Sequence, residues 1–217
     1  MRRNRTGLSR GRRSISQMAD FRGLSGALSG LKLRLEQALP ILASAGIDAS
    51  VRVLDSTSLD EDGVAALPTN TLGLYLHRIS IEPVGANRSM PPPRRGLPRQ
   101  AELSVNLHLL LIALKAVSDG EAKIMGWAMQ QMGDALGLDN GILVSAEPDA
   151  QWHPEGVLQV FPERMNTEDL LRIWEGLPSD YHLSSPYVIR NLRVLPSRLQ
   201  ENGPMVGEIE HRMGLHP

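Results

Sequence analysis

At 217 residues, with 41% apolar and only 4% aromatic side chains, the chain can bury one sizeable core, and that core must be aliphatic rather than ring-rich. It contains no cysteine, which excludes a disulfide framework, thiolate metal sites and cysteine nucleophiles. Its net charge of −1 hides an asymmetry: residues 1–17 carry six arginines and no acid, and the rest of the chain, with 17 basic against 24 acidic side chains, stands at −7.

The arginine-rich start has no apolar stretch behind it and does not fit a secretory signal. Two readings of it stand: a flexible leader over 1–17 ahead of a domain that starts near Met18, or a basic arm for nucleic acid or an acidic neighbour. No apolar run has the length of a membrane helix; the longest, Leu107 to Val117, is interrupted by His108 and Lys115.

Leu24, Leu28, Leu31, Leu35 and Leu39 recur at helical spacing and predict a helix over 21–39, with Asp20 as its cap. Gly23, Gly26 and Gly30 each weaken it by about 1 kcal/mol relative to Ala, so tertiary packing has to hold it. Pro40 is expected to kink or end this helix, and Ala45-Gly46 to close the segment. Residues 49–54 form a short strand, and 55–63 a solvated turn whose acids lack calcium-loop spacing. Residues 71–81 form a strand with Leu72, Leu74 and Leu76 on one face and Tyr75, His77, Ile79 and Ile81 on the other.

Alternation from Leu103 onward gives the clearest strand, over 103–113. A second helix follows over 121–136, with an apolar stripe of Ile124, Met125, Ala128, Met129, Met132 and Leu136, Asp119 as cap and Gly137 as stop. Short strands are expected at 142–145 and 157–161, then a helix over 168–175, capped by Asn166 or Thr167, with Leu170, Leu171 and Trp174 on its apolar face. A last strand spans 187–195, and the tail beyond Pro196 has few anchors. Together these predict one compact α/β (α+β) domain over 18–197, with a mixed or mostly antiparallel sheet, a leader at 1–17 and a tail at 198–217.

Catalytic signatures are missing from this pattern: there is no G-x-S-x-G, no phosphate loop, no H-E-x-x-H and no G-x-G-x-x-G. His77 and His108 could face each other across paired strands, but the pattern supplies no carboxylate beside them, and neutral structural histidines are expected. Trp127 and Trp174 are expected to pack or form contacts rather than hold a ligand. Neither enzymatic activity, nor a cofactor, nor a metal is expected.

The segment between the two longest strands resists a bland reading. From Pro83 to Gln100 it holds five prolines and four arginines, Arg88, Arg94, Arg95 and Arg99, with no acid. Neighbouring strands are ordinarily joined by far fewer residues unless the connection works. Single-strand nucleic-acid binding usually adds stacking rings, which are absent here, so an acidic protein partner fits better. A nucleic-acid-associated adaptor using arm and loop remains the alternative.

The order of these features resembles a known family. MADF at 18–21 opens the leucine-rich helix, and NTLGLYLHRISIEP at 70–83 leads into a loop with Asn87, Arg88, Arg94, Arg95, Leu97, Pro98 and Arg99. Then come LSVNLHLLLIAL at 103–114, E-x-K-I-M-G-W-A-M-Q at 121–130 and Y-x-I-R-x-L-R-V-L at 187–195. Over residues 18–197 the chain is similar to tail terminator, or cap, proteins of extracellular contractile injection systems, which are phage-tail-like particles. The resemblance implies a tail-terminator-like fold. It also implies a hexameric ring that closes the end of inner tube and sheath distal to the baseplate, with tube and sheath proteins as partners and neither membrane nor specific nucleic acid involved. Its place would be the cytoplasm of the producing cell, within the particle, and the outside of the cell after release. Arg88, Arg94, Arg95, Leu97, Pro98 and Arg99 would then form an assembly loop.

Overall fold

The computed structural model describes residues 15–82, 103–117, 119–134 and 137–195. The first element among the described residues is a strand, β1 (Ile15–Ala19), followed by the long helix α1 (Gly23–Ser44), β2 (Ser50–Leu54) and the short helix α2 (Glu61–Ala66). The two central strands, β3 (Thr71–Ile81) and β4 (Leu103–Leu114), precede α3 (Gly120–Asp134) and the two-residue β5 (Gly137–Leu138). The chain then forms α4 (Asn140–Ala146), β6 (Gly156–Pro162), α5 (Thr167–Glu175) and β7 (Ser184–Val194). This is a single α+β domain around one mixed sheet, ordered β2-β3-β4-β7-β1-β6-β5.

β3, β4 and β7 run antiparallel, whereas β2 lies parallel to β3, and β1 parallel to both β6 and β7. One edge of β7 serves two neighbours in succession: Tyr187–Arg190 pair with β6, and Leu192–Val194 pair with β1. Asn191 stands between the two pairings with a φ of 70° and donates from Nδ2 to Gln159 Oε1 over 2.8 Å. An asparagine tolerates that left-handed backbone better than most residues, so the sheet can turn there.

The sheet is covered on both faces. Leu72, Leu74, Leu107, Leu109, Leu111 and Ala113 meet Ala27, Leu31 and Leu35 of α1 and Ile124 and Ala128 of α3 in the main core. On the opposite face Leu110, Ile112 and Leu114 join Leu54, Leu59 and Trp174. That two-sided burial explains why β4 is apolar at nearly every position past its midpoint.

Several expectations are corrected. α1 runs through Pro40 to Ser44, because Leu42 is buried and the end is closed further on. Ala45 and Gly46 donate to the carbonyls of Leu42 and Ala43, and Gly46 takes a φ of 80°. Asp20 does not occupy the cap position, which falls on Arg22; its carboxylate instead accepts the Arg22 N–H at 2.8 Å from just upstream. The glycines of α1 are close-packing sites: a Cβ on Gly26 would lie 2.6 Å from the Trp152 ring, and one on Gly30 would lie 3.0 Å from Leu143.

The apolar run at 142–145 belongs to helix α4, since Asp139 caps it by accepting the Ile142 N–H at 3.0 Å. The expected turn at 55–63 ends in α2, capped by Asp60. Met129 is 48% exposed, Trp127, expected to pack or form contacts beside the stripe, joins the core at 6%, and Leu136 lies outside the described residues. On α5 the inward residues are Leu170, Ile173 and Trp174, whereas Leu171 points out. Gly137 pairs with Gln159 as part of β5. β1 was not anticipated, and it includes Ile15, Ser16 and Gln17 of the segment expected to be a leader.

Candidate assembly surface

β3 and β4 form the longest ladder of the sheet, from Thr71 opposite Leu114 to Ile81 opposite Val105. The rung beyond Ile81 is a bond from the Glu82 N–H to the Ser104 carbonyl, 2.9 Å long. From this end the chain departs into the proline- and arginine-rich segment. Arg88, Arg94, Arg95, Leu97, Pro98 and Arg99 lie outside the described residues, so the structure locates the base of the expected assembly loop and not its tip.

A bulge between Leu76 and Arg78 reshapes this end. It places Arg78, not His77, directly opposite His108, and it returns Ile79 and Ile81 to the face of Leu107 and Val105. The strict alternation expected for β3, with Ile79 and Ile81 on the side of Tyr75, therefore fails past the bulge. The two isoleucines project on the main-core face beyond the cover of the helices, 45% and 60% exposed.

On the other face a polar cluster ties three strands together. His108 is only 7% exposed, and its Nδ1 lies 2.8 Å from Glu163 Oε1, just past β6. A carboxylate can only accept, so Nδ1 carries the proton, and in the neutral ring Nε2 accepts from the Ser80 hydroxyl at 2.8 Å. Arg78 adds an ion pair to Glu163 Oε1 at 3.1 Å, and Glu82 accepts from Asn106 Nδ2 at 2.9 Å. The Glu163 backbone N–H is in turn bonded to the Pro186 carbonyl of β7. These bonds hold the base of the loop against β6 and β7.

His77 stands beside this cluster, its ring edge-on to His108 at 6.2 Å between centroids. Burial, the main cause, holds its pKa at about 4; His108 and Arg78 add to that depression and Glu163 opposes it. Its Nε2 is buried with no hydrogen-bond partner among the described residues. The two rings thus meet edge-on, but the bulge sets Arg78 rather than His77 across from His108, and the carboxylate that the sequence pattern could not supply comes from Glu163. Among the described residues no group of three or more His, Asp or Glu side chains is arranged to hold a metal ion.

Sequence reasoning missed Ser80 and Glu163. Nothing in local spacing links Glu163 to residues on β3 and β4, since β7 intervenes in the sheet order. Trp174 is buried against the second face, its Nε1 donating to Ser184 Oγ at 3.1 Å, with the rings of Tyr181 and His182 edge-on to it. Among the described residues no helix is long and apolar enough to cross a membrane.

The sequence matches the model of the Pvc16 N-terminal domain over residues 28–208, and the chain belongs to that family. It is similar to a solved structure described as the sheath/tube terminator, in the extended state, of the PVC extracellular contractile injection system. That match has 14% identity and a TM-score of 0.49, covering 85% of this chain and 64% of the other. A second match, to the tube-terminating cap of the anti-feeding prophage, has 15% identity and a TM-score of 0.41, covering 65% of this chain and 49% of the other. The chain thus spans less than two thirds of the length of the structures it matches. No curated relative matches the sequence.

Proposed function

We propose that the protein is a structural cap of a contractile injection system, assembled as a hexameric ring that closes the baseplate-distal end of the inner tube and sheath. The observation that carries this reading is the family match over residues 28–208, which spans the same strand, loop, strand and helix order that resembles tail terminators. The architecture supports it: β3 and β4 form a rigid stem, and the His108–Glu163 and Arg78–Glu163 bonds brace that stem from behind.

A loop held on such a stem can reach a neighbour without loosening the core. Proline stiffening leaves it little entropy to lose on docking, and its arginines can form forked bonds to carboxylates. Arg88, Arg94, Arg95 and Arg99, with Leu97 and Pro98 between them, are the contact residues of this reading. The acidic remainder of the chain, at −7 beyond residue 17, supplies carboxylates on neighbouring copies. In a cyclic assembly one such contact recurs in every subunit, so a modest attraction is multiplied around the ring. The chain then acts by assembly rather than catalysis, in the cytoplasm of the producing cell.

Negative-stain imaging of the purified protein, alone and mixed with isolated tubes, tests this. Closed six-fold rings, and rings seated on tube ends, are expected. A protein that stays monomeric with tubes present and leaves their ends open would refute the cap reading.

A further inference from the structure

β2 covers only the first part of β3. It ends at Leu54, opposite Tyr75, and among the described residues no strand lies along the same side of β3 from Leu76 to Ile81. The bond from the Glu82 N–H to Ser104 sets the phase of the ladder here. In an antiparallel pair, alternate residues turn their backbone groups toward the partner strand. Counting back, Ser80 and Arg78 face Asn106 and His108 of β4, so Ile79 and Ile81 turn their N–H and C=O groups outward. Those two residues also carry the exposed large apolar side chains of this stretch. An open edge of this kind is a template for another strand, and proteins usually blunt or cover it.

We propose that this edge pairs with the same edge of a second copy of the chain, antiparallel about a two-fold axis at Ser80. The argument for a second copy is the self-complementarity of Arg78-Ile79-Ser80-Ile81-Glu82. In that register Ile79 lies opposite Ile81 of the partner subunit, and both residues of the pair have outward backbone groups to exchange. Their side chains meet on one face of the joined sheet. On the other face Arg78, whose side chain is 57% exposed, comes opposite Glu82 of the partner subunit. The guanidinium has donors enough to keep Glu163 and take a second carboxylate. Shifting the register by one residue would set isoleucine against charge, so the pattern disfavours the alignments on either side of this one. Such a contact is isologous, unlike the head-to-tail contacts of a cyclic ring, and it covers the edge in the unassembled protein.

The test is amide hydrogen exchange of the full chain at low and high protein concentration, beside sedimentation velocity. The amides of Ile79 and Ile81 should exchange roughly tenfold more slowly at the high concentration as a dimer forms. Ile81→Pro removes one outward N–H and leaves the bonds to β4 intact, and it should abolish both effects. Should that variant fail to fold, Glu82→Lys should weaken the dimer by setting a lysine opposite Arg78 of the partner subunit. Concentration-independent exchange at Ile79 and Ile81, or a dimer insensitive to these substitutions, would overturn the proposal. Rings that form while both amides stay fast would overturn it too, and would leave the cap reading standing.

Discussion

The buried amide of Gln17 is pressed against Gly156, so that a Cβ on the glycine would lie 2.8 Å from the Gln17 Cα and closer still to its side-chain oxygen. That oxygen accepts from the backbone N–H groups of Met18 and His153, both at 3.0 Å, and so joins β1 to the turn before β6. Gly156→Ala should therefore destabilise the fold by about 1–3 kcal/mol through overpacking. Urea denaturation measures this, and an unchanged midpoint would show that the contact can relax.

The same contact sets where the chain can be cut. Removing residues 1–14 should leave the melting temperature unchanged. Removing 1–17 takes Ile15 and Ser16, which pair with Gly156 and Val157, and the buried Gln17, which pairs with Leu192 and accepts from the Met18 and His153 N–H groups. Each hydrogen bond lost contributes about 0.5–1.5 kcal/mol, so the melting temperature should fall. Equal melting curves for the two truncations would return Ile15–Gln17 to the leader.

His77 gives the fold an acid-sensitive element. Its folded pKa of about 4 lies below the ordinary imidazole value of 6.5, so between those pH values the unfolded chain holds a proton that the folded one lacks. Its contribution is thus fully present above pH 6.5 and is lost as the pH falls toward 4. His77→Leu should shrink the drop in denaturation midpoint between about pH 7 and about pH 5. An identical drop in the wild type and the variant would contradict this assignment.

Leucine and methionine spacing made α1, α3, β3 and β4 legible, because each has a buried stripe or face long enough to set its period. β1 was hidden, since ISQMA alternates weakly and follows a run of arginines. α4 was mistaken for a strand because Ile142-Leu143-Val144 is too short for its period to decide, leaving Asp139 as the better signal. The bulge at His77 has no local signature, yet it decides which side chains flank the base of the loop. Glu163 was invisible for a topological reason: it reaches His108 only after the chain has crossed the sheet.

Changing Arg94 and Arg95 together to Glu tests the loop as an assembly element. An exposed arginine pair contributes only about 0–1 kcal/mol, whereas a desolvated interfacial pair is worth several-fold more. Circular dichroism of the double variant should match the wild type, while particles that carry it should show open ends or tubes of uncontrolled length. Normally capped particles would make the loop a solvated excursion without a partner.

In the proposed cap the protein sits at one end of a particle, a position that can be seen directly. Electron microscopy of purified particles carrying a tagged copy of the chain should place the tag at the end away from the baseplate and nowhere else. Tag spread along the sheath, found at the baseplate, or absent from intact closed particles would contradict the cap assignment.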